Sequence, residues 1–272
     1  MKIIDAHVHI FPEKIAASAV VATNQFYSGA LSDQVHAPKE FTVYKGTAED
    51  LLERSRKAGI TRSVVFSTAT APRQVESINS FIARNCAEHP EFLGVGTMHI
   101  DYPDFPGEVA RIKSLGLAGI KLHPDIQRFA LDDPRLFPLY EIMRDEHLFL
   151  IAHTGDYRYD FSTPSRMAHI AKLFPEMRFV AAHFGGWSQW AEARECLVLP
   201  NVYVDTSSTL GFADSQAAVK GFETFDHSHI FFGSDYPMWE PGIELDRLLS
   251  LKLDDRLLSM VLWENFENFL QL

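Results

Sequence analysis

The chain has 272 residues, 46% of them hydrophobic and 22% charged, which is the make-up of a globular protein with a substantial core and excludes disordered and fibrous readings. With 25 Lys and Arg against 36 Asp and Glu the formal charge is −11, so nucleic acid and membrane surfaces are not expected partners and small molecules are. Cys86 and Cys196 are the two cysteines and lack CxxC spacing, so neither a disulfide framework nor a thiolate zinc site is expected, and a reducing cytoplasm is. No basic leader opens the sequence and no apolar run has transmembrane length, which agrees with a cytoplasmic expectation.

The first apolar run, Lys2-Ile3-Ile4, leads into Asp5-Ala6-His7-Val8-His9 and reads as a strand. Residues 11–46 are punctuated by Phe11-Pro12, Ser28-Gly29 and Ala37-Pro38 and read as an irregular excursion that could cover a site mouth. Thr47 resembles an N-cap for a short helix ending at Gly59, and Arg62 to Ser67 is β-branched and apolar, as a buried strand should be. Gln74 to His89 then carries apolar residues at helical spacing and is closed by Pro90.

The alternation continues with strands at 93–98, 118–122, 148–152, 179–182, 202–204 and 230–232 and with helices at 107–115, 135–146, 165–174, 189–196 and 215–225 between them. The segments 242–251 and 254–269 supply the closing helices. Eight strand–helix units with right-handed crossovers close into an α/β fold of the (β/α)8 TIM barrel type, a single domain over 1–272. A doubly wound open sheet is the alternative, but it would more often carry a glycine-rich phosphate loop after strand one, and there is none.

Barrel enzymes build their sites where strands end, and five of the twelve histidines fall at such ends. Strand one ends in His7 and His9, strand four in Lys121 and His123, strand five in His153, strand six in His183 and strand eight in Asp235. Side chains alternate along a strand, so His7 and His9 share a face. Such a His/Asp set offers the nitrogen and oxygen donors used by a catalytic divalent ion. Gly233-Ser234-Asp235-Tyr236-Pro237 reads equally as an ordinary turn, and Gly185-Gly186 after His183 as a strand-to-helix turn.

Five motifs, D-A-H-V-H-I at 5–10, G-I-K-L-H-P at 119–124, I-A-H-T-G at 151–155, A-A-H-F-G-G at 181–186 and F-G-S-D-Y-P at 232–237, resemble those of the amidohydrolase superfamily. The resemblance is to its amidohydrolase-2 branch, which includes aminocarboxymuconate-semialdehyde decarboxylase, resorcylate decarboxylases, hydratases and lactonases. It implies that His7, His9, His153 and Asp235 hold one divalent metal ion, zinc first with manganese or iron as alternatives. His183 and Asp235 are then the expected catalytic groups, Asp235 as proton acceptor and His183 orienting water or protonating a leaving group. Lys121, His123 and Arg128 are expected on the substrate side. A carboxylated Lys121 bridging a second metal, as in binuclear members of the superfamily, is the alternative, set second because this branch is usually mononuclear. Arg158 and Tyr157 read as solvated loop residues, and Trp187, Met238 and Trp239 as packing residues that could line a pocket.

The function expected first is a metal-dependent hydrolase that uses metal-activated water on an amide, lactone or ester-like bond of a small, carboxylated metabolite. A nonhydrolytic lyase, decarboxylase or hydratase, is the alternative; decarboxylases of this branch tend to be longer, which favours hydrolysis slightly. A catalytically silent barrel that binds a ligand is the third. Phe26, Tyr27, Phe41 and Tyr44 in the excursion could cover the site or form a homo-oligomer contact.

Overall fold

The computed structural model describes residues 2–28, 44–211 and 215–271, and Phe41 lies outside them. They fall into two compact units, one of residues 1–65 with 205–272 and one of residues 66–204.

In the first unit β1 (Ile4–His9) is the central strand. Its neighbour β2 (Arg62–Phe66) begins where the Thr61 and Arg62 amides donate to the Ile3 carbonyl, at 2.9 and 3.2 Å. On the other side Ala6 N donates to Phe232 O at 2.8 Å, Asp235 N to His7 O at 2.8 Å and His9 N to Tyr236 O at 2.7 Å. These bonds continue the strand Ile230–Phe231 into a segment that tracks β1 as far as Tyr236. Along β1 the apolar set Ala6, Val8 and Ile10 and the polar pair Asp5 and His7 are all buried, and only His9, at its end, opens toward solvent. Phe231 packs its ring on Phe266 and Phe269, with centroids 5.1 and 5.3 Å away, which places the C-terminal aromatics in the core as their spacing suggests.

The helix Ala48–Ala58 begins and ends as its sequence indicates, with the Thr47 hydroxyl accepting from Asp50 N and with Gly59 at its C-terminus. The excursion is not irregular throughout. Glu13–Ser28 is a 16-residue α-helix, because the breakers lie at its two ends and 13–28 holds neither Pro nor Gly and is rich in Ala. Pro12 supplies the carbonyl that accepts from Ile15 N and Ala16 N. At the foot of this excursion Phe11 N donates to Gly46 O at 2.8 Å and Gly46 N to the Tyr236 hydroxyl at 3.0 Å. Gly46 has φ +71°, and a Cβ there would lie 2.9 Å from Val20 Cγ2. The Tyr236 hydroxyl donates to Asp50 Oδ2 at 2.7 Å, and Arg54 braces that carboxylate while reaching Glu240 at 2.5 Å.

The strands Gly96–Thr97, Gly119–Leu122, Phe149–Ala152, Phe179–Ala181 and Val202–Asp205 pair in parallel in sequence order. The register aligns Leu122 with Ala152 and Ala152 with Ala181, so the residues that follow, His123, His153 and Ala182-His183, leave one edge of the sheet. The expected strand 93–98 is two pieces, Phe92–Gly94 and Gly96–Thr97. Asn79 explains the second piece: its side-chain Oδ1 accepts from Thr97 N at 2.7 Å and its Nδ2 donates to Thr97 O, taking over the backbone groups a longer strand would pair.

Candidate active site

Two groups of side chains among the described residues could hold a metal ion, one in each unit: His7, His9 and Asp235, and Asp125, His153 and Asp156. In the first group His7 Nε2 and His9 Nε2 stand 3.6 and 3.5 Å from Asp235 Oδ1, and the three donor atoms lie within 4.8 Å of one another. The strand period puts the two imidazoles on one face, and the Asp235 N to His7 O bond sets the carboxylate opposite them. His7 is fully buried and His9 is partly open.

A carboxylate missed from sequence fixes the orientation of His7. Asp205 Oδ2 lies 2.9 Å from His7 Nδ1, both groups without solvent exposure. Its other oxygen accepts from Ser207 N at 3.1 Å and from the Ser207 hydroxyl. A carboxylate on Nδ1 selects the tautomer that leaves the Nε2 lone pair facing Asp235 and His9, the arrangement found behind metal-ligating histidines. The only sequence signal for Asp205 is its position one residue past the expected strand 202–204.

Asp235 itself has φ +62°, in the left-handed region a non-glycine residue rarely occupies, and so has Ser208, at +47°. Ser208 Oγ donates to Asp235 Oδ2 at 2.5 Å and accepts from the Trp239 indole N–H at 2.9 Å. Met238 and Trp239 are both buried, and the Trp239 ring lies under the Arg247 guanidinium, 5.0 Å from its centroid. Arg247 also pairs with the buried Glu244. Burial pushes the Glu244 carboxyl up to about 7 and the Asp5 carboxyl likewise to about 7, with Asp205 adding like charge at Asp5. Asp5 Oδ2 and Glu244 Oε2 have no hydrogen-bond partner among the described residues.

In the second unit His153 is the hub. Its Nδ1 lies 2.9 Å from His183 Nε2, its ring stacks on His123 at 4.1 Å with 8° between planes, and its Nε2 lies 3.7 Å from Asp125 Oδ2. Asp125 and Asp156, neither singled out from sequence, directly follow the motif residues Pro124 and Gly155. Burial raises the Asp125 carboxyl to about 7 although Ser162 donates to it at 2.5 Å. Asp156 is gripped by Arg158 on both oxygens, at 2.9 and 2.6 Å, and the guanidinium lies 5.9 Å from the Trp187 ring centroid. Arg158 is therefore a packed, paired residue instead of a solvated one, because its loop turns it back on a buried carboxylate.

His183 and Phe184 take φ +64° and +49°, and the turn after them closes on the neighbouring motif. A Cβ on Gly155, at φ +93°, would lie 2.5 Å from the Gly186 backbone, so the glycines of I-A-H-T-G and A-A-H-F-G-G are a pair that lets two strand-end loops touch. Lys121 is fully buried, with Nζ 4.9 Å from the Phe66 ring centroid. His123 caps the helical turn Pro124–Gln127, and Arg128, at its C-terminal end, is exposed. The structure thus brings His7, His9 and Asp235 together in one unit and His123, His153 and His183 in the other.

The amidohydrolase family model matches residues 4–272, and the chain belongs to that family. Solved structures agree on the fold. A TIM-barrel protein of Bordetella bronchiseptica superposes with TM-score 0.78 at 20% identity, over 100% of this chain and 99% of its own. A probable 2-pyrone-4,6-dicarboxylic acid hydrolase of Acinetobacter baumannii, with citric acid bound, gives 0.70 at 14% identity over 100% of both chains. A 5-carboxyvanillate decarboxylase of Novosphingobium aromaticivorans, complexed with manganese and 4-hydroxy-3-methoxy-5-nitrobenzoic acid, gives 0.73 at 16% identity over 99% of this chain and 96% of its own. The fold is a (β/α)8 barrel, and the protein is an enzyme of the amidohydrolase type. No helix among the described residues is long and apolar enough to cross a membrane.

Proposed function

We propose that this chain is a metal-dependent hydrolase that cleaves an amide, lactone or ester-like bond in a small, carboxylated metabolite. The observation that carries the reading is the convergence of His7 Nε2, His9 Nε2 and Asp235 Oδ1, with Asp205 behind His7. Two imidazoles and a carboxylate on a rigid strand pair fit a divalent cation, zinc or manganese, better than any other bound group. Such an ion supplies Lewis acidity and lowers the pKa of water in contact with it toward about 7.

The protein side chains do the rest. Asp235 accepts the proton released as water attacks, on a carboxylate already held in place by Ser208. His153 is assigned as a fourth metal donor, on the strength of the family motif. His183, bonded to His153, is assigned as the group that orients water or protonates the leaving atom. Lys121 and His123 are assigned to the substrate carboxylate, the mononuclear alternative to a carboxylated Lys121 bridging a second ion. Arg128 is assigned to the same anion from its exposed position. The substrate is a small anion in this reading, and a homo-oligomeric, cytoplasmic enzyme is in keeping with it.

The second reading, a metal-dependent decarboxylase, is favoured by the manganese-bound decarboxylase among the similar structures. Metal analysis of the purified protein should give about one divalent ion per chain, lost in the His7→Ala/His9→Ala variant. Two equivalents held by wild type but not by Lys121→Ala would replace the mononuclear assignment by the bridged one. The metal-loaded enzyme is then screened against lactones, amides and aromatic acids: carbon dioxide release without hydrolysis selects the decarboxylase, and inertness toward all three removes both.

A further inference from the structure

Asp235 offers two oxygens, and the structure treats them differently. Oδ1 faces the two imidazoles, at 3.5 and 3.6 Å, whereas Oδ2 accepts the Ser208 hydroxyl at 2.5 Å. The direction of that second bond is not free. An indole N–H can only donate, so the Trp239 contact at 2.9 Å makes Ser208 Oγ the acceptor there and sends the serine proton to Asp235. A hydroxyl donating to a carboxylate at this length is among the stronger neutral-to-ionic bonds. Ser208, Trp239 and Asp235 are all buried, at 1%, 5% and 8% exposure, so water does not compete readily for these positions.

The backbone is committed to the same end. Ser208 and Asp235 both occupy the left-handed region, and neither is a glycine. Strained non-glycine residues persist where the surrounding structure holds them, and here the strained pair are the two ends of one hydrogen bond. Trp239 is in turn fixed against Arg247, which is anchored on Glu244.

We propose that Ser208, aimed by the Trp239 indole, is a positioning residue that reserves Asp235 Oδ2 and so makes Asp235 a one-oxygen donor toward the cation. The inference rests on the assignment of Asp235 as a metal ligand. Without the serine the carboxylate can turn, and both oxygens become available to the ion, which changes the number and geometry of its donors. Neither residue touches the ion or the substrate in this scheme.

The test uses full-length protein loaded with cobalt(II), whose visible bands report coordination geometry, and measures affinity by competition with a chromophoric chelator. Ser208→Gly removes the hydroxyl and relaxes the left-handed backbone in one step, so folding is not put at risk. It should retain the wild-type melting temperature or exceed it, weaken cobalt binding about 10-fold or more, and lower the intensity of the visible bands. Trp239→Phe should move the bands in the same direction by less, since the hydroxyl remains but is no longer aimed. Asp235→Asn is the control. If it weakens cobalt binding while Ser208→Gly keeps wild-type affinity and spectrum, the positioning role is overturned and the ligand assignment stands. If Asp235→Asn itself binds cobalt as wild type does, the ligand assignment falls and this inference with it.

Discussion

Replacing Asp205 by Asn should weaken metal binding although it deletes no proposed ligand and scarcely changes side-chain volume. Two donors, Ser207 N and the Ser207 hydroxyl, face Asp205 Oδ1. An asparagine must put its carbonyl oxygen there, because an amide NH2 would meet two hydrogens. Its NH2 group then falls at the Oδ2 position, 2.9 Å from His7 Nδ1. Nδ1 becomes an acceptor, the ring proton moves to Nε2, and His7 presents a hydrogen where wild type presents a lone pair. Loss of such an outer carboxylate costs about 10- to 100-fold in metal affinity, or about 1.4–2.7 kcal/mol. Competition against a chromophoric chelator measures this directly, with Asp205→Ala, which frees the tautomer instead of enforcing the wrong one, expected to lose less affinity than Asp205→Asn. Unchanged affinity in Asp205→Asn would show that His7 does not bind through Nε2.

Three further outcomes follow from packing and burial. Gly155→Ala drives a methyl into the Gly186 backbone at 2.5 Å and forces φ +93° on alanine, so roughly 3 kcal/mol of stability should be lost, ~6–12 °C by differential scanning calorimetry; an unchanged melting temperature would mean that the two loops separate without penalty. Glu244 releases its proton near 4.5 when unfolded but near 7 when folded, so the unfolded state binds fewer protons between those values and stability falls as pH rises through them, by roughly 3 kcal/mol in all. Glu244→Gln should therefore gain on wild type at pH 8 relative to pH 5 in urea titrations, and an equal difference at both pH values would place the proton elsewhere. Tyr236→Phe deletes the donor to Asp50 and the acceptor for Gly46 N, for an expected loss of about 1.5–3 kcal/mol by urea denaturation, and no loss would mean that Arg54 alone satisfies Asp50.

What could be read in the sequence was what obeys a local period. His7 and His9 share a face because strand side chains alternate, and Thr47 and Gly59 mark their helix because caps are local devices. The punctuation of the excursion hides a helix: Pro12 and Gly29 stand on either side of Glu13–Ser28, and breakers say where an element stops but not that the interval lacks one. Asp205 was out of reach because its meaning depends on His7, 198 positions away, and no periodicity links them. Arg158 reads as a surface residue in the sequence because arginines in loops usually are, and only the fold shows that Asp156 turns it inward. Ser208 is a further case, since a serine in Thr206-Ser207-Ser208-Thr209 has no sequence mark of a left-handed backbone.

The bond from Phe11 N to Gly46 O has a consequence for how this enzyme type could diversify. It ties residue 11 to residue 46 across 34 intervening positions. Beyond the tie, His9 and Tyr236 stay bonded backbone to backbone, so an insertion is felt at the knot and not at the donors. A change of length between residues 12 and 45 is therefore expected to leave His7, His9 and Asp235 where they are.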